Sequence, residues 1–334
     1  MMQFGLSGCG AGFESLLPTQ WPVFAKMAET AGFESLWLNE EHFQRPRDGR
    51  GRLCLSPLIA AAQLAAHTQH IRIGFSVLLL PLHNPIRLAE EIATLDVMSG
   101  GRINVGVSRG GNRDYSTAFG VNPETGRADF QRDLATMLQC WAPGDIRMNG
   151  GSFNVQPKPV QQPTPPIYIG TYNEETAGWA AREGHRLIQH GIQSLSNIIR
   201  VVRAFEKEGG NVRHAPIGRF VYVGGNDEDA RRELLPVIQL LTDRLRKAGI
   251  PARPGTMTEG ELEVERFYRE MVIAGGPATC RERLLELGHL TGSRHVNCLM
   301  GFFGYLPPAL LGRSLRLFSD EVLPHIAQAG DIDG

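Results

Sequence analysis

Glu40, Glu41 and His42 are the one acid and base cluster that directly follows an apolar, strand-like run in this chain. A histidine beside two carboxylates has its charged form favoured, which suits a proton donor or a hydrogen bond to an anionic group. The same trio could also be a satisfied core histidine with solvated or ion-paired carboxylates. Arg109 stands at the end of a second apolar run, in Ser108-Arg109-Gly110-Gly111. Its guanidinium is always charged and forks two donors toward a phosphate, each charge-assisted bond being worth roughly 1.5–3 kcal/mol. An ion pair with Asp114 or Glu124 is the plainer role for it. Residues 171–176, with Tyr172, Asn173 and Thr176, supply a strand end and a helix start, where free backbone N–H groups and the helix dipole favour an anion. An ordinary capped helix, with Glu174 and Glu175 complementing the dipole, explains that segment equally well. The pairing with Arg109 on a neighbouring strand tips the balance toward a phosphate site. His190, at the end of a short strand, is the one other histidine placed near a ligand. The rest, His83 among them, show no HExxH and no close carboxylate, so no metal site is signalled. Neither GxGxxG nor GxxxxGK[ST] occurs, so no Rossmann or P-loop nucleotide site is indicated.

The elements that must hold these residues alternate from end to end. Residues 71–80 read as one buried strand, being nearly continuous apolar sequence. Asn84 then caps a helix with Pro85 at its first position. That helix is expected to bury Ile86, Ala89, Ile92, Ala93 and Val97 and to expose Arg87, Glu90, Glu91 and Asp96. Residues 99–102 stop it and a strand over 103–107 follows, delivering Arg109 to the surface. Further strands are expected at 3–7, 35–39, 167–170, 187–190, 220–224 and 295–301. Helices are expected at 18–31, 56–67, 127–140, 173–183, 196–207, 227–248 and 308–323. Residues 143–166 read as an irregular connection. Eight strand-then-helix units argue for an α/β fold, an eight-stranded parallel β/α (TIM) barrel with inserted loops at its carboxyl face. In such a barrel the ligand-binding residues follow the strands. Two segments exceed the minimal barrel: residues 43–57, with Arg45, Arg47, Arg50 and Arg52, and residues 250–276, read as an insertion or lid within a single domain spanning 1–334.

The chain has 334 residues, 42% of them hydrophobic, enough for one large core. Its formal net charge of −1 recommends neither nucleic acid nor an anionic membrane as partner. No run approaches the ~18 apolar residues of a membrane span, and the start MMQFGLSGCG lacks a signal peptide's basic opening. Cys9, Cys54, Cys140, Cys280 and Cys298 form no CxxC pair, as suits reduced thiols. A cytoplasmic protein is expected.

The segments GFESLWLNEEHF, IRIGFSVLLLPLHNPIRLAEEIATLDVMSGGRINVGVSRG, PPIYIG with WAAREG, and GRSLRLFSDEVLPHI resemble the luciferase-like, flavin-dependent monooxygenases related to bacterial luciferase. The similarity runs over nearly the whole chain. It implies a barrel that binds reduced FMN, usually as a homodimer, with the flavin supplied by a separate reductase. By position, Arg109, Gly110, Tyr172, Asn173 and Thr176 would hold the FMN phosphate, with His190 near the cofactor. Ser76 and Val77 would lie beside the isoalloxazine ring, where the family often has a non-prolyl cis peptide. Many members read Glu-His-His after the second strand, and the first histidine of that pair is catalytic in bacterial luciferase. Glu41 occupies its place here, so the catalytic pair implied is Glu41 and His42.

The resemblance implies a monooxygenase in which O2 adds to reduced FMN, and the resulting flavin hydroperoxide oxygenates a small organic substrate by hydroxylation or Baeyer–Villiger-type insertion. Two other readings stand beside it. The same barrel serves deazaflavin-dependent hydride transfer, for which the arginines of residues 43–57 could line a channel. A non-catalytic flavin-binding protein would be consistent with the missing histidine.

Overall fold

A computed structural model describes residues 1–8, 18–43, 55–122, 124–253 and 255–329. The first half of the chain runs β1 (Gln3–Ser7), α1 (Trp21–Thr30), β2 (Ser35–Leu38), α2 (Pro57–His67), β3 (Arg72–Phe75), β4 (Leu78–Leu79), α3 (Pro85–Ser99), β5 (Ile103–Ser108), α4 (Arg113–Ala118) and α5 (Gly126–Trp141). A hairpin of β6 (Ile146–Met148) and β7 (Gly151–Phe153) precedes β8 (Ile167–Gly170), α6 (Glu174–Arg182), β9 (Arg186–Ile188) and α7 (Leu195–Lys207). Then come β10 (Ile217–Val223), α8 (Asp227–Lys247), α9 (Val264–Met271), β11 (Val272–Gly275), α10 (Pro277–Thr291), β12 (His295–Cys298), α11 (Pro308–Leu317) and α12 (Leu323–Ala329).

The main sheet is parallel throughout and curls in the order β11-β10-β12-β1-β2-β3-β5-β8-β9. Beyond β9, Gln189 N–H donates to Pro216 O at 2.9 Å and Gly218 N–H donates to Gln189 O at 2.8 Å, so the end of β9 meets the start of β10. Side chains alternate across such strands. Outward-facing Leu36, Leu38, Ile73, Phe75, Val105, Val107 and Ile169 join the helices in the main apolar core. The inward face holds a small separate cluster of Trp37, Tyr168 and Ile188, with Val77 packed against it. Trp37 needs the room that glycine leaves: a Cβ on Gly74 would come within 2.4 Å of its ring.

The expected strand over 71–80 is broken. β3 ends at Phe75, the Ser76–Val77 peptide is cis, and β4 resumes against β5 with Leu78 opposite Val107. Gly106 lies where the chain swerves, and a Cβ there would strike Phe75 O at 1.8 Å. Helix α3 starts as its sequence dictates, with Asn84 Oδ1 accepting from Ile86 N–H and Arg87 N–H, and Gly100 ends it in the left-handed region. Two assignments on it are corrected. Asp96 is fully buried, because the connection from α5 returns across the helix and Asp96 accepts from Gln161 N–H at 3.0 Å and Gln161 Nε2–H at 2.7 Å. Val97, expected inside, is exposed.

Further differences lie outside the site. The connection over 143–166 contains the β6–β7 hairpin. β10 starts three residues before the expected 220, since its first residues are claimed by Gln189 and by β12. β12 stops at Cys298, and a π-helical turn, Phe318–Val322, interrupts the last helix. Within 250–276, α9 buries Phe267 and Met271, and β11 pairs with β10. Ahead of them Gly255 (φ +79) closes on Tyr172, a Cβ there falling 2.6 Å from Tyr172 Cβ, so this segment touches the end of β8. Asn197 Nδ2–H holds it by donating to Gly255 O at 2.9 Å. Arg45, Arg47, Arg50 and Arg52 lie outside the described residues, as do Cys9 and Cys54. Cys140, Cys280 and Cys298 are buried free thiols. Among the described residues no helix is long and apolar enough to cross a membrane.

Candidate active site

The carboxyl ends of parallel strands in a curled sheet gather the loops that follow them at one mouth. Val77 forms part of its floor: it packs on the inward cluster and lies so close to β8 that a Cβ on Gly170 would meet Val77 Cγ1 at 2.9 Å. Asn39 follows Ser35 and Trp37 in the inward alternation. It is buried, and its Oδ1 has no hydrogen-bond partner among the described residues.

Arg109 leaves β5 beside β8, as expected of neighbouring strands. Its aliphatic stem lies over Gly126, the first residue of α5, where a Cβ would sit 3.2 Å from Arg109 Cδ. The side chain is exposed and pairs with neither Asp114 nor Glu124. Gly110 (φ +76) turns the chain, its N–H donating to Ser108 Oγ at 3.1 Å. From the next position on α5, Arg127 reaches α6: Nη2–H donates to Thr176 Oγ1 at 3.4 Å, and Nη1 pairs with Glu175 at 2.6 Å. Arg109, the start of α5, Arg127 and the start of α6 thus stand side by side.

Asn173 is the N-cap of α6, its Oδ1 accepting from Thr176 N–H at 2.9 Å and from Thr176 Oγ1–H at 3.3 Å. Glu174 is bound by Arg200 at 2.7 Å, so both acids of the first turn are ion-paired. Burial pushes the Tyr172 phenol up to about 12, keeping it protonated. Arg127 was missed in the sequence. A cation in the first turn of a helix opposes the dipole, and that misfit is the signal that it has an anionic partner there.

The acid–base cluster is assembled differently from its expected form. Glu40 carries the contacts, with its side chain almost wholly buried. It accepts from Leu79 N–H at 2.6 Å, from His83 Nε2 at 2.8 Å and from His42 Nε2 at 3.2 Å. Burial alone would raise its carboxyl, but the bond and charge of His83, the Leu79 N–H and His42 together hold it below the ordinary carboxylate value. His83, set aside in the sequence for want of a nearby carboxylate, is therefore a correction. The two residues are 43 apart, and only the break before β4 brings them together. Glu41 is half-buried in the same loop. His42 donates its backbone N–H to Tyr115 Oη at 3.1 Å, and its ring lies against Tyr115 at 5.3 Å and Phe119 at 4.7 Å between centroids.

His190 follows β9 and stacks on Phe303, with centroids 6.1 Å apart and planes 15° apart. Phe303 and its neighbour Phe302 have φ of 52° and 48°, left-handed values that cost a bulky side chain about 1–3 kcal/mol each. Burial pulls the His190 imidazole down to about 4, so it is neutral near pH 7. Its Nδ1 accepts from Ile192 N–H at 3.3 Å, which leaves Nε2–H as a donor. The structure thus gathers Ser76, Val77, Arg109, Gly110, Tyr172, Asn173, Thr176, His42 and His190 at the strand ends, and adds Glu40, His83 and Arg127.

A sequence profile of the luciferase-like monooxygenases matches residues 19–295. The chain belongs to this family of flavin-dependent monooxygenases and oxidoreductases. The uncharacterized protein y4vJ of Sinorhizobium fredii is 32% identical over 326 residues, covering 91% of this chain and 90% of that one. The oxygenase component of a flavin-dependent trigonelline monooxygenase from Acinetobacter baylyi is 27% identical, covering 48% of this chain and 44% of its own length. Two solved structures share the fold. The oxygenating constituent of 3,6-diketocamphane monooxygenase from Pseudomonas putida, in complex with FMN, has a TM-score of 0.76 at 18% identity, over 97% of this chain and 98% of its own. The coenzyme F420 dependent tetrahydromethanopterin reductase of Methanopyrus kandleri has a TM-score of 0.72 at 18% identity, over 97% and 99%.

Proposed function

We propose that this chain is the oxygenase of a two-component system, taking reduced FMN from a separate reductase and using O2 to oxygenate a small organic substrate. The observation that carries this reading is Arg109: a cation at the exit of β5, paired with neither Asp114 nor Glu124, its stem over the first residue of α5, the helix whose Arg127 reaches the start of α6. The ring β1, β2, β3 with β4, β5, β8, β9, β10 and β12 is read as the eight-stranded barrel, and its mouth as the flavin site. The donors fit a phosphate dianion: Arg109, Arg127 released from Glu175, and the Thr176 hydroxyl, with Gly110 leaving the approach open. Ser76 and Val77 would underlie the ring, and Asn39 Oδ1 offers an unused acceptor to a ring N–H.

Reduced FMN, when bound, supplies the electrons that activate O2. The chain's own residues set the surroundings. His42 stands ready to hold or pass a proton, and the Tyr115 and Phe119 rings pack against it. His190, neutral with Nε2–H outward, offers a hydrogen bond to an uncharged oxygen and places no positive charge there. A homodimer is also part of this reading. Ile59 on α2 and Val97 and Met98 on α3 are exposed on adjoining helices, as suits a face covered by a second copy.

The test is anaerobic titration with reduced FMN and reduced deazaflavin side by side, followed by admission of oxygen. Reduced FMN is expected to bind the more tightly. Tight binding of the deazaflavin with weak binding of FMN would move the chain to the hydride-transfer class, to which the F420-dependent structural neighbour lends support.

A further inference from the structure

Glu40, which the family resemblance gave no role, is a buried side chain with three hydrogen-bonding partners at the mouth. Glu40 sits between two histidines and a backbone N–H that belongs to the floor. Its Oε1 is shared by His83 Nε2 at 2.8 Å and His42 Nε2 at 3.2 Å, while its Oε2 receives Leu79 N–H at 2.6 Å. A buried carboxylate is an acceptor only, so each imidazole must present a proton to it. That condition fixes the protonated nitrogen of both rings. In the neutral ring of His42 the acceptor is then Nδ1, and in the charged ring Nδ1–H is the donor that remains available.

The geometry points to Glu40 as a positioning residue for His42: its carboxylate holds Nε2–H and so directs Nδ1 of that ring to the reaction, while His83 and Leu79 N–H hold the carboxylate itself. The arrangement joins two segments: the loop after β2 provides Glu40 and His42, and the segment after Ser76–Val77 provides Leu79 and His83. A change in the floor is thereby felt at His42 through a single side chain. A carboxylate that holds one ring nitrogen of a histidine from behind orients the ring and selects its tautomer without meeting the substrate. The proposal rests on the oxygenase reading only in taking His42 as the proton-handling group; the hydrogen-bond assignment stands without it.

Two measurements test it. The first uses the ligand-free full chain labelled with 15N-histidine, in which two-bond proton–nitrogen correlations identify the protonated ring nitrogen. His42 and His83 are both expected to carry the proton on Nε2, visible as resonances protected from exchange, and both resonances are expected to be lost in Glu40→Leu. A neutral His42 protonated on Nδ1, or protection that survives in folded Glu40→Leu, overturns the proposal. Because the wild-type spectrum alone can refute it, a variant that fails to fold does not shield it. The second follows reoxidation of bound reduced FMN by O2 against pH in Glu40→Gln. The rate is expected to fall roughly tenfold or more and to lose its pH dependence, as in His42→Ala, with reduced-FMN affinity changed less than about twofold. Unchanged rate and profile with weakened affinity would mean that Glu40 serves only the floor, and would also overturn it. Failure of the wild-type chain to bind reduced FMN would instead count against the oxygenase reading, with the first measurement unaffected.

Discussion

Arg109 shows how a side chain's surroundings decide between two roles that its sequence position allows. Its stem rests on Gly126 at the start of α5, and its head pairs with neither Asp114 nor Glu124. Replacing it with alanine is expected to weaken reduced-FMN binding at least about tenfold, roughly the 1.4 kcal/mol or more that a charge-assisted phosphate contact contributes. Equilibrium titration under anaerobic conditions checks this, and an unchanged affinity removes Arg109 from the phosphate site. The places of Arg109 after a strand and of Asn173 and Thr176 at a helix start could be read in the sequence because strand ends and helix caps are local signals. Glu40 and His83 could not be paired, since nothing local in either predicts that a break before β4 will bring Leu79 and His83 onto Glu40. For Arg127 a local signal was present, a cation where the dipole disfavours one, and it was passed over.

At the scale of elements, the joint between α1 and β3 depends on Glu29. Its Oε1 accepts from Gln69 N–H at 2.8 Å, His70 N–H at 2.6 Å and Ile71 N–H at 3.0 Å, which seats the turn before β3. Burial would raise this carboxyl, but the three backbone donors and Lys26 outweigh it and hold it at about 2. A depressed carboxyl contributes stability that is present above its unfolded value, near 4.5, and is lost as pH falls toward 2. Glu29→Ala is expected to destabilise the fold by about 2 kcal/mol near pH 7, and by much less near pH 3. Urea unfolding at both pH values measures this; an equal loss at both would show that the carboxylate charge is not the source. Element boundaries set by local chemistry were legible: Asn84 and Pro85 start α3, and Gly100 ends it. Those set by distant partners were not. Asp96 reads as a surface residue until Gln161 returns to it, and β11 exists as a strand only because the second half of β10 is free to pair with it.

For the molecule as a whole, His295 and His190 add a second response to acid. Burial, with lesser contributions from His214 and Arg186, pulls His295 down to about 3, and burial pulls His190 down to about 4. The unfolded chain takes up these protons near pH 6.5, whereas the folded chain resists them. Stability is therefore fully present above about pH 6.5 and falls as pH drops toward 4, by up to about 1.4 kcal/mol per pH unit for each group. Comparing unfolding free energies at pH 7 and pH 5 should reveal the loss, and His295→Gln should reduce it; a variant with the wild-type slope would exonerate His295. The exposed faces of α2 and α3 give a second expectation at this scale. Ile59→Arg with Met98→Glu should shift sedimentation toward the monomer, and a wild-type chain that already sediments as a monomer rules the dimer out. Finally, Val77 lies within contact of the positions that Gly106 and Gly170 leave without side chains, and Trp37 fills the space over Gly74. The bottom of the mouth thus has no slack: a larger residue at any of these glycines would collide with a neighbour before it could reshape the cavity. On the oxygenase reading, adaptation to new substrates would have to work through side chains higher in the mouth, Tyr115, Phe119, His190 and Phe303 among them, over a base already packed full.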